Sequence, residues 1–146
     1  MRRTNRWILG GLLVAAIALT GCSPAATVAP PAAVTVTKVE GSDLKLMTLT
    51  ADAAKRLDVQ TIEVTSAPSG RTGTVVPYSA LLYDLEGNTW VYTNPQGLDF
   101  VRAAVTVDRI EGDAAILTAG PEVGTKVVTV GVSEFHGVEA GVGGGH

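Results

Sequence analysis

The chain has 146 residues, of which 46% are hydrophobic, and it carries 11 basic and 14 acidic side chains for a net charge of −3. This length suits one modest core, and an acidic balance argues against nucleic-acid binding, which needs a clustered basic face. A single cysteine excludes an intramolecular disulfide framework and a multi-thiolate metal site, and two histidines leave little for catalysis. We therefore expect no enzymatic activity, no cofactor and no nucleic-acid partner.

The first 21 residues have the features of an export signal. Arg2, Arg3 and Arg6 form a positively charged region, and residues 7–19 are all apolar or glycine. A run of this length is too short to cross a bilayer as a helix, which needs about 20 residues, but it is typical of a signal peptide. We expect residues 1–21 to be removed, which takes the net charge from −3 to −6 because three arginines are lost. An uncleaved signal anchor is the alternative.

The residues that end this leader, Leu19–Ser23, resemble the lipobox of bacterial lipoproteins, in which a small residue precedes an invariant cysteine. The resemblance implies diacylglyceryl transfer to the sulfur of Cys22, cleavage before Cys22 and acylation of the new amine. Two or more acyl chains hold a protein on a membrane where one does not, since each buried methylene adds about 0.8 kcal/mol. We expect the chain to be lipid-anchored through Cys22 and to face the extracytoplasmic side of the cell membrane, which is the periplasm if an outer membrane is present.

Composition divides the mature chain into three parts. Residues 22–38 are mostly Ala, Pro, Val and Thr, which predicts a disordered, semi-extended tether. Residues 39–138 carry the strand patterns and form the expected domain. Residues 139–146 are rich in glycine and predict a flexible tail.

Within the expected domain, alternation of apolar and polar residues predicts a series of short strands. A helical stretch, 51–57, follows Thr50 as its N-cap. The predicted strands and β-competent stretches are 44–49, 58–64, 75–76, 79–83, 89–93, 100–110, 114–118 and 126–130. Turn residues separate most of them, among them Gly87 and Asn88 in a hairpin turn over 84–88. The sequence therefore predicts a mainly β fold, a small antiparallel barrel or sandwich with one short helix.

Several of these segments, taken in order, resemble a known family, the periplasmic adaptor subunits of resistance-nodulation-division efflux pumps, also called membrane fusion proteins. The resemblance covers about two thirds of the chain and concerns their C-terminal, membrane-proximal part. The matching segments are 49–61, 77–83, 89–92, 105–107 and 120–131. The chain departs from the family because Ser66 runs almost directly into Val75, which leaves no room for the lipoyl-like domain and helical hairpin of full adaptors. The resemblance implies contact with an inner-membrane efflux transporter, not with an outer-membrane channel, and it carries over no metal-binding role.

These features together indicate a membrane-anchored lipoprotein that acts, without catalysis, as an adaptor-like accessory or interaction protein of an efflux transport complex. The alternatives are a stand-alone ligand- or metal-binding envelope lipoprotein and a truncated adaptor relic. Because exposed turns often carry contacts, we expect the partner surface at the two ends of the strand 89–93. Its expected residues are Gly87, Asn88, Trp90, Tyr92 and Asn94.

Four other patterns have a functional and a structural interpretation. Asp108, Glu111 and Asp113 lack the ligand spacing of calcium loops and favour a polar turn. His136 lies just past the last strand and His146 ends the glycine-rich tail, so neither is preorganised for a metal. The aromatic residues at 90, 92 and 100 favour a core over a ligand pocket. No motif supports a hydrolase centred on the serine at 79.

Overall fold

The computed structural model of the protein describes residues 32–142. The chain divides into two units, Met1–Pro30 and Pro31–His146, and the described residues all belong to the second. The expected signal peptide, residues 1–21, the expected lipidation site Cys22 and His146 lie outside the described residues. The strands of the described part are β1 (Val34–Lys38), β2 (Lys45–Leu49), β3 (Gln60–Glu63), β4 (Thr65–Ser66), β5 (Thr74–Pro77), β6 (Leu82–Tyr83), β7 (Thr89–Gln96), β8 (Asp99–Glu111), β9 (Ala114–Ala119) and β10 (Lys126–Val130). The α-helices are α1 (Ala51–Arg56) and α2 (Val132–Glu139), and a 3-10 turn covers Tyr78–Ala80.

The strands form one mainly antiparallel, barrel-like sheet. Its neighbours follow the order β3-β10-β7-β8-β9-β5-β4, with β2 paired to β1 and β8, and β6 paired to β7. The long strand β8 belongs to both halves of the sheet, because Asp99–Val105 pair with β7 and Thr106–Glu111 pair with β9. Register shifts near Thr106 and Val107 mark the change of partner, where a bulge lets a strand bend.

A single residue brings the two ends of this sheet together. Val64 lies between β3 and β4, which are the terminal strands of the order given above, and it is almost completely buried. Its N–H donates to Thr125 O at 2.9 Å, and its carbonyl accepts from Gly124 N at 2.9 Å. Because one continuous segment serves both ends, the sheet is nearly closed and buries its inner face.

The sheet separates two apolar clusters. The inner cluster draws on strands from all round the barrel and contains Val64, Val76, Ala80, Val91, Val105, Ala115, Leu117 and Val127. The outer cluster lies on the opposite face of β2, β7, β8 and β10, beneath both helices, and contains Met47, Leu49, Ala53, Tyr92, Phe100, Val128 and Phe135. Neighbouring residues of β7, such as Val91 and Tyr92, belong to different clusters because side chains alternate across a strand.

The predicted helix and the mainly β fold are both present. α1 begins after Thr50, whose hydroxyl accepts from Ala53 N at 3.2 Å, as the N-cap prediction requires. Asp52 in its first turn and Lys55 and Arg56 in its last turn match the helix dipole. The predicted strand 126–130 has the same bounds as β10. The turn between β6 and β7 covers residues 84–88, as predicted from Gly87 and Asn88.

Two elements lie where other structure was expected. Residues 34–38, assigned to the tether, form β1, which pairs along its whole length with β2 from Val34↔Leu49 to Lys38↔Lys45. The pairing with β2 decides the conformation of this segment, and its alternating Val and Thr are compatible with a strand. The second helix, α2, was not predicted. It ends at Glu139, which is the first residue of the expected flexible tail and is buried.

Gly73 should be among the least replaceable residues of the barrel. Its φ is +111°, and a Cβ built there would lie 2.1 Å from the carbonyl oxygen of Leu117 on β9. Gly70 has a similar positive φ, +84°, but an added Cβ would meet nothing within 4 Å. We expect Gly73→Ala to lower the free energy of unfolding by about 3 kcal/mol or more, and Gly70→Ala by about 1 kcal/mol. Chemical denaturation followed by circular dichroism measures both, and equal losses would contradict the close approach to β9.

Candidate functional site

The turn between β6 and β7, residues Asp84–Asn88, is built around one carboxylate. Asp84 Oδ1 accepts from the backbone N–H of Glu86 at 3.1 Å and of Asn88 at 2.7 Å. Oδ2 accepts from Asn88 Nδ2 at 2.8 Å and from the indole Nε1 of Trp90 at 2.9 Å. Gly87 supplies the positive φ, +86°, that the turn requires. Four donors on one side chain fix the conformation of a segment whose other residues are exposed.

These hydrogen bonds perturb the carboxylate that accepts them. The side-chain donors Asn88 and Trp90, aided by the two backbone donors, lower the pKa of Asp84 from 3.8 to about 2. Hydrogen bonds to the charged form of an acid favour that form. Asp84 is therefore ionised throughout the physiological pH range and holds the turn as a charged acceptor.

The turn is connected to the body of the domain through Trp90. The guanidinium carbon of Arg102 lies 4.3 Å from the centre of the Trp90 ring, a cation–π contact. Arg102 stands on β8 directly opposite Tyr92 of β7. Its Nε lies 3.1 Å from Glu139 Oε1, as an ion pair without the alignment of a hydrogen bond. Arg102 thus joins the indole at the turn to the last residue of α2.

Glu139 is the buried centre of this group of side chains, and only 6% of its surface is exposed. Its Oε2 accepts from the hydroxyl of Tyr92 at 2.7 Å, and its backbone carbonyl accepts from Lys45 Nζ. A buried carboxylate needs both a counter-charge and hydrogen-bond donors, and Arg102 and Tyr92 supply them. The lysine also places a positive charge at the C-terminal end of α2, which the helix dipole favours.

The Tyr92 hydroxyl acts as a permanent donor in this arrangement. Burial raises its pKa far above the ordinary value of 10, and the adjacent Glu139 carboxylate raises it further. Its ring packs against Phe135, with centroids 5.4 Å apart, and Phe135 in turn packs against Phe100 at 4.6 Å. These contacts attach α2 to the outer face of the sheet.

The structure does not bring the five expected contact residues into one surface. Gly87, Asn88 and Trp90 lie at one end of β7, while Asn94 lies towards the other. At about 3.3 Å per residue, the six residues from Asn88 to Asn94 span about 20 Å. Asn94 donates from Nδ2 to Gly97 O at 3.1 Å and to Asp99 O at 2.8 Å, and so stabilises the irregular β7–β8 turn.

Tyr92 has to be removed from the expected contact surface. Its exposed fraction is 0%, because the even-numbered face of β7 is covered by α2 instead of facing solvent. Side chains alternate along β7, so Trp90 and Tyr92 share one face and Val91 lies on the other. The expectation that Tyr92 and Phe100 belong to a core is confirmed, since both are buried, but the helix that covers them was not predicted.

Sequence reasoning also missed residues that shape the site. Leu85 stands between Asp84 and Glu86 in the turn and is completely exposed, at 101% of its reference surface. Tyr83, just before the turn, is half exposed. A leucine inside a turn of otherwise polar residues is the available sequence signal. The burial of Glu139 had no comparable signal, because it lies next to a glycine-rich end.

The acidic residues at the end of β8 are engaged with arginines. Glu111 accepts from Arg109 Nε at 2.7 Å and from Arg71 Nη1 at 2.8 Å, and Arg109 also pairs with Asp108. Hydrogen bonds from Arg109 and then Arg71 lower the pKa of Glu111. These ion pairs join the loop before β5 to the β8–β9 turn. Such a structural role agrees with the interpretation of this stretch as a polar turn.

Within residues 32–142, no group of three or more His, Cys, Asp or Glu side chains is placed to hold a metal ion. His136 lies on α2, where its Nδ1 is buried and has no hydrogen-bond partner among the described residues. Neither helix of the described part is long and apolar enough to span a bilayer.

Comparison of the chain with protein-family models, with curated proteins and with solved structures finds no match.

The conformation of the Asp84–Asn88 turn should depend on pH only in strong acid. Because the pKa of Asp84 is lowered to about 2, its contribution is fully present above pH 4 and is lost as the pH falls through about 2. We expect the indole N–H resonance of Trp90 to titrate with a midpoint near pH 2 in an NMR titration. Asp84→Asn should abolish this transition, and a midpoint near the ordinary value of 3.8 would contradict the proposed hydrogen bonding.

Removal of the buried carboxylate should destabilise the domain strongly. Glu139→Ala leaves Arg102 and Tyr92 without their shared partner, and breaking a buried ion pair costs about 3–5 kcal/mol. Glu134→Ala is the matched control, since Glu134 is an exposed glutamate on the same helix and its loss should cost about 0.5 kcal/mol or less. Urea denaturation of both variants tests this difference. Similar midpoints for the two would show that Glu139 does not hold α2 to the sheet.

Proposed function

We propose that this protein is a membrane-anchored lipoprotein that serves, without catalysis, as an adaptor-like accessory or interaction protein of an efflux transport complex. Acylated Cys22 would hold it on the extracytoplasmic side of the membrane, and its partner would be an inner-membrane transporter. The lipobox and the ordered adaptor-like segments of the sequence support the anchor and the partner class. The β domain would act by contact.

The observation that carries the proposal is a fixed turn that presents an exposed apolar side chain. Leu85 is fully exposed, yet the carboxylate of the preceding Asp84 accepts from the backbone N–H groups of Glu86 and Asn88, which follow it. An anchor held in one conformation before binding loses little entropy when it enters a pocket of a partner. The half-exposed ring of Tyr83 extends the apolar surface next to it, and tyrosine is among the residues that contribute most to binding energy at protein interfaces.

The surroundings of the carboxylates also favour contact over chemistry. Asp84, Glu111 and Glu139 each bind donors from neighbouring residues that hold a turn or a helix in place. A general base needs a carboxylate that can reach a substrate proton, and these three are occupied by structural partners.

A stand-alone ligand-binding lipoprotein remains the second candidate, because one observation favours it. An apolar groove of about 200 Å³ lies between β1 and the two helices, lined by residues such as Leu57 and Phe135. An apolar ligand that stays with the purified protein in stoichiometric amount would support this second function.

Crosslinking in intact cells tests the proposed function. We expect a tagged chain, purified in detergent after crosslinking, to bring with it a large polytopic transporter identified by mass spectrometry. Leu85→Asp should reduce its recovery at least about tenfold, since a charge at a desolvated anchor opposes binding. Cys22→Ala, which removes the lipid site, should also lower the yield.

Val123→Asp is the matched control for this experiment. Val123 is an exposed valine, 56% accessible, in the separate turn between β9 and β10. The Val123→Asp substitution should leave the recovery of the transporter unchanged. Equal recovery with Leu85→Asp and with the unaltered chain would overturn the assignment of the turn, and recovery of the lipoprotein alone would overturn the adaptor-like role.

A further inference from the structure

The strand β3 is an exposed end of the nearly closed sheet. It pairs with β10 on one side, and within residues 32–142 no strand pairs with its other side. All four of its residues, Gln60–Glu63, are exposed. An unpaired strand edge presents backbone N–H and C=O groups that can bind a further strand.

The backbone hydrogen bonds of Val64 show which groups of β3 face the open side. Its N–H donates to Thr125 O and its carbonyl accepts from Gly124 N, both in the segment that leads into β10. Neighbouring residues of an antiparallel strand direct these groups to opposite sides, so Glu63 and Thr61 direct theirs away from β10. Each of the two offers one N–H donor and one carbonyl acceptor at the open side.

A proline explains why the sheet stays open at this point. β4 pairs with β5 in the register Thr65↔Val75, and continuing the same register would place Glu63 opposite Pro77. Proline has no N–H and cannot donate to the carbonyl of Glu63. After Pro77 the chain enters the 3-10 turn Tyr78–Ala80. The strand β5 therefore cannot continue the ladder along β3.

A cleft of about 400 Å³ lies between β3, the paired strands β4 and β5, and the β8–β9 turn. One wall is held in place because Tyr78 N donates to Asp113 O at 2.7 Å. A cleft that exists before binding suits a partner segment, since little order is lost when the two associate. Its apolar lining consists of Ile62, Val75, Val76, Pro77 and Ala114.

The charged side chains that line this cleft are acidic, namely Glu63, Glu111 and Asp113. Glu111 is paired with arginines, but among the described residues Glu63 and Asp113 form no ion pair, although Lys126 of β10 stands opposite Glu63. A segment with a basic side chain is therefore attracted to the cleft. A second copy that paired β3 with β3 would bring the same acidic side chains together, which opposes association.

We infer that β3 and this cleft bind an extended segment of a partner protein, which adds a strand beside Thr61 and Glu63. The segment carries a lysine or arginine on the face of Glu63 and an apolar side chain on the face of Ile62. Backbone hydrogen bonds hold such a strand, and its alternating side chains select the sequence. The cleft shares no residue with the Asp84–Asn88 turn, so the inference goes beyond the proposed function and does not depend on it.

Amide hydrogen exchange in the full chain, purified from membranes in detergent, tests this inference. The probe is a short amidated peptide of alternating lysine and valine, and the exchange of individual amides is followed by NMR. We expect saturating peptide to slow the exchange of the Thr61 and Glu63 amides at least about tenfold. The amide of Ile62 faces β10, so its exchange should be slow with and without the peptide.

Substitutions at the open edge separate backbone pairing from side-chain contact. Thr61→Pro removes one donor from the open side and leaves the bonds to β10 in place, so it should weaken peptide binding at least about tenfold. Thr61→Val keeps the donor and, as the matched control, should bind the peptide as the unaltered chain does. Circular dichroism of both variants shows that the fold is retained.

Charge is tested with a second peptide and a second pair of variants. A peptide of alternating glutamate and valine should bind at least about tenfold more weakly than the lysine peptide. Asp113→Asn should weaken binding of the lysine peptide. Glu122→Gln, at an exposed glutamate of the β9–β10 turn, should leave it unchanged.

Three results would overturn the inference. The first is no binding of the lysine peptide at about 1 mM, and the second is binding that leaves the Thr61 and Glu63 amides unprotected. The third is protection of these amides in the free protein that rises with protein concentration, which would assign the edge to a second copy. Leu85→Asp should not change peptide binding, so this inference and the proposed function can fail separately.

Discussion

The burial of β7 on both faces is the constraint on which the rest of the structure depends. Val91 points into the barrel and Tyr92 points to the other side, and neither is exposed. A sheet strand buried on both faces needs a covering layer, and α2 supplies it through Phe135. Once covered, the hydroxyl of Tyr92 needs an acceptor, since a buried polar group without a partner is costly. Glu139 fills that role, and Arg102 compensates its charge.

The elements that the sequence predicts well are those in which local pattern and tertiary environment agree. Glycines flank the apolar run of β10 on both sides. In the turn before β7, Asp84 and the pair Gly87 and Asn88 mark the point where the chain changes direction. β1 and α2 are different because tertiary contacts decide them. β1 is defined by pairing with β2, and α2 begins after Gly131, which has no capping side chain, and contains a second glycine at 137. Neither element carries the capping and composition signals that identify α1.

The candidate site was predictable only as far as its turn. Gly87 and Asn88 mark a hairpin from local chemistry alone, and their exposure follows from the turn itself. The role of Asp84 depends on Trp90, six residues away, and the role of Trp90 depends on Arg102 of the next strand. Such contacts arise from register across β7 and β8, which an alternating pattern does not specify beyond which face each residue occupies. The expectation of Tyr92 at the contact surface is wrong for the same reason, since the pattern gives its face but not what covers it, whereas its assignment to a core is confirmed.

One helix serves both the Asp84–Asn88 turn and the apolar groove. Glu139 of α2 reaches the Asp84–Asn88 turn through Arg102 and Trp90, while Phe135 and Val138 of the same helix line the apolar groove. Residues three and four positions apart share one side of a helix, so a shift of α2 would move both sets of side chains together. A substitution at Glu139 would therefore disturb the turn and the groove at once and could not distinguish them. Leu85 lies in solvent outside this connection. For that reason, a loss of partner contact through Leu85→Asp would report on the turn and leave the groove undisturbed.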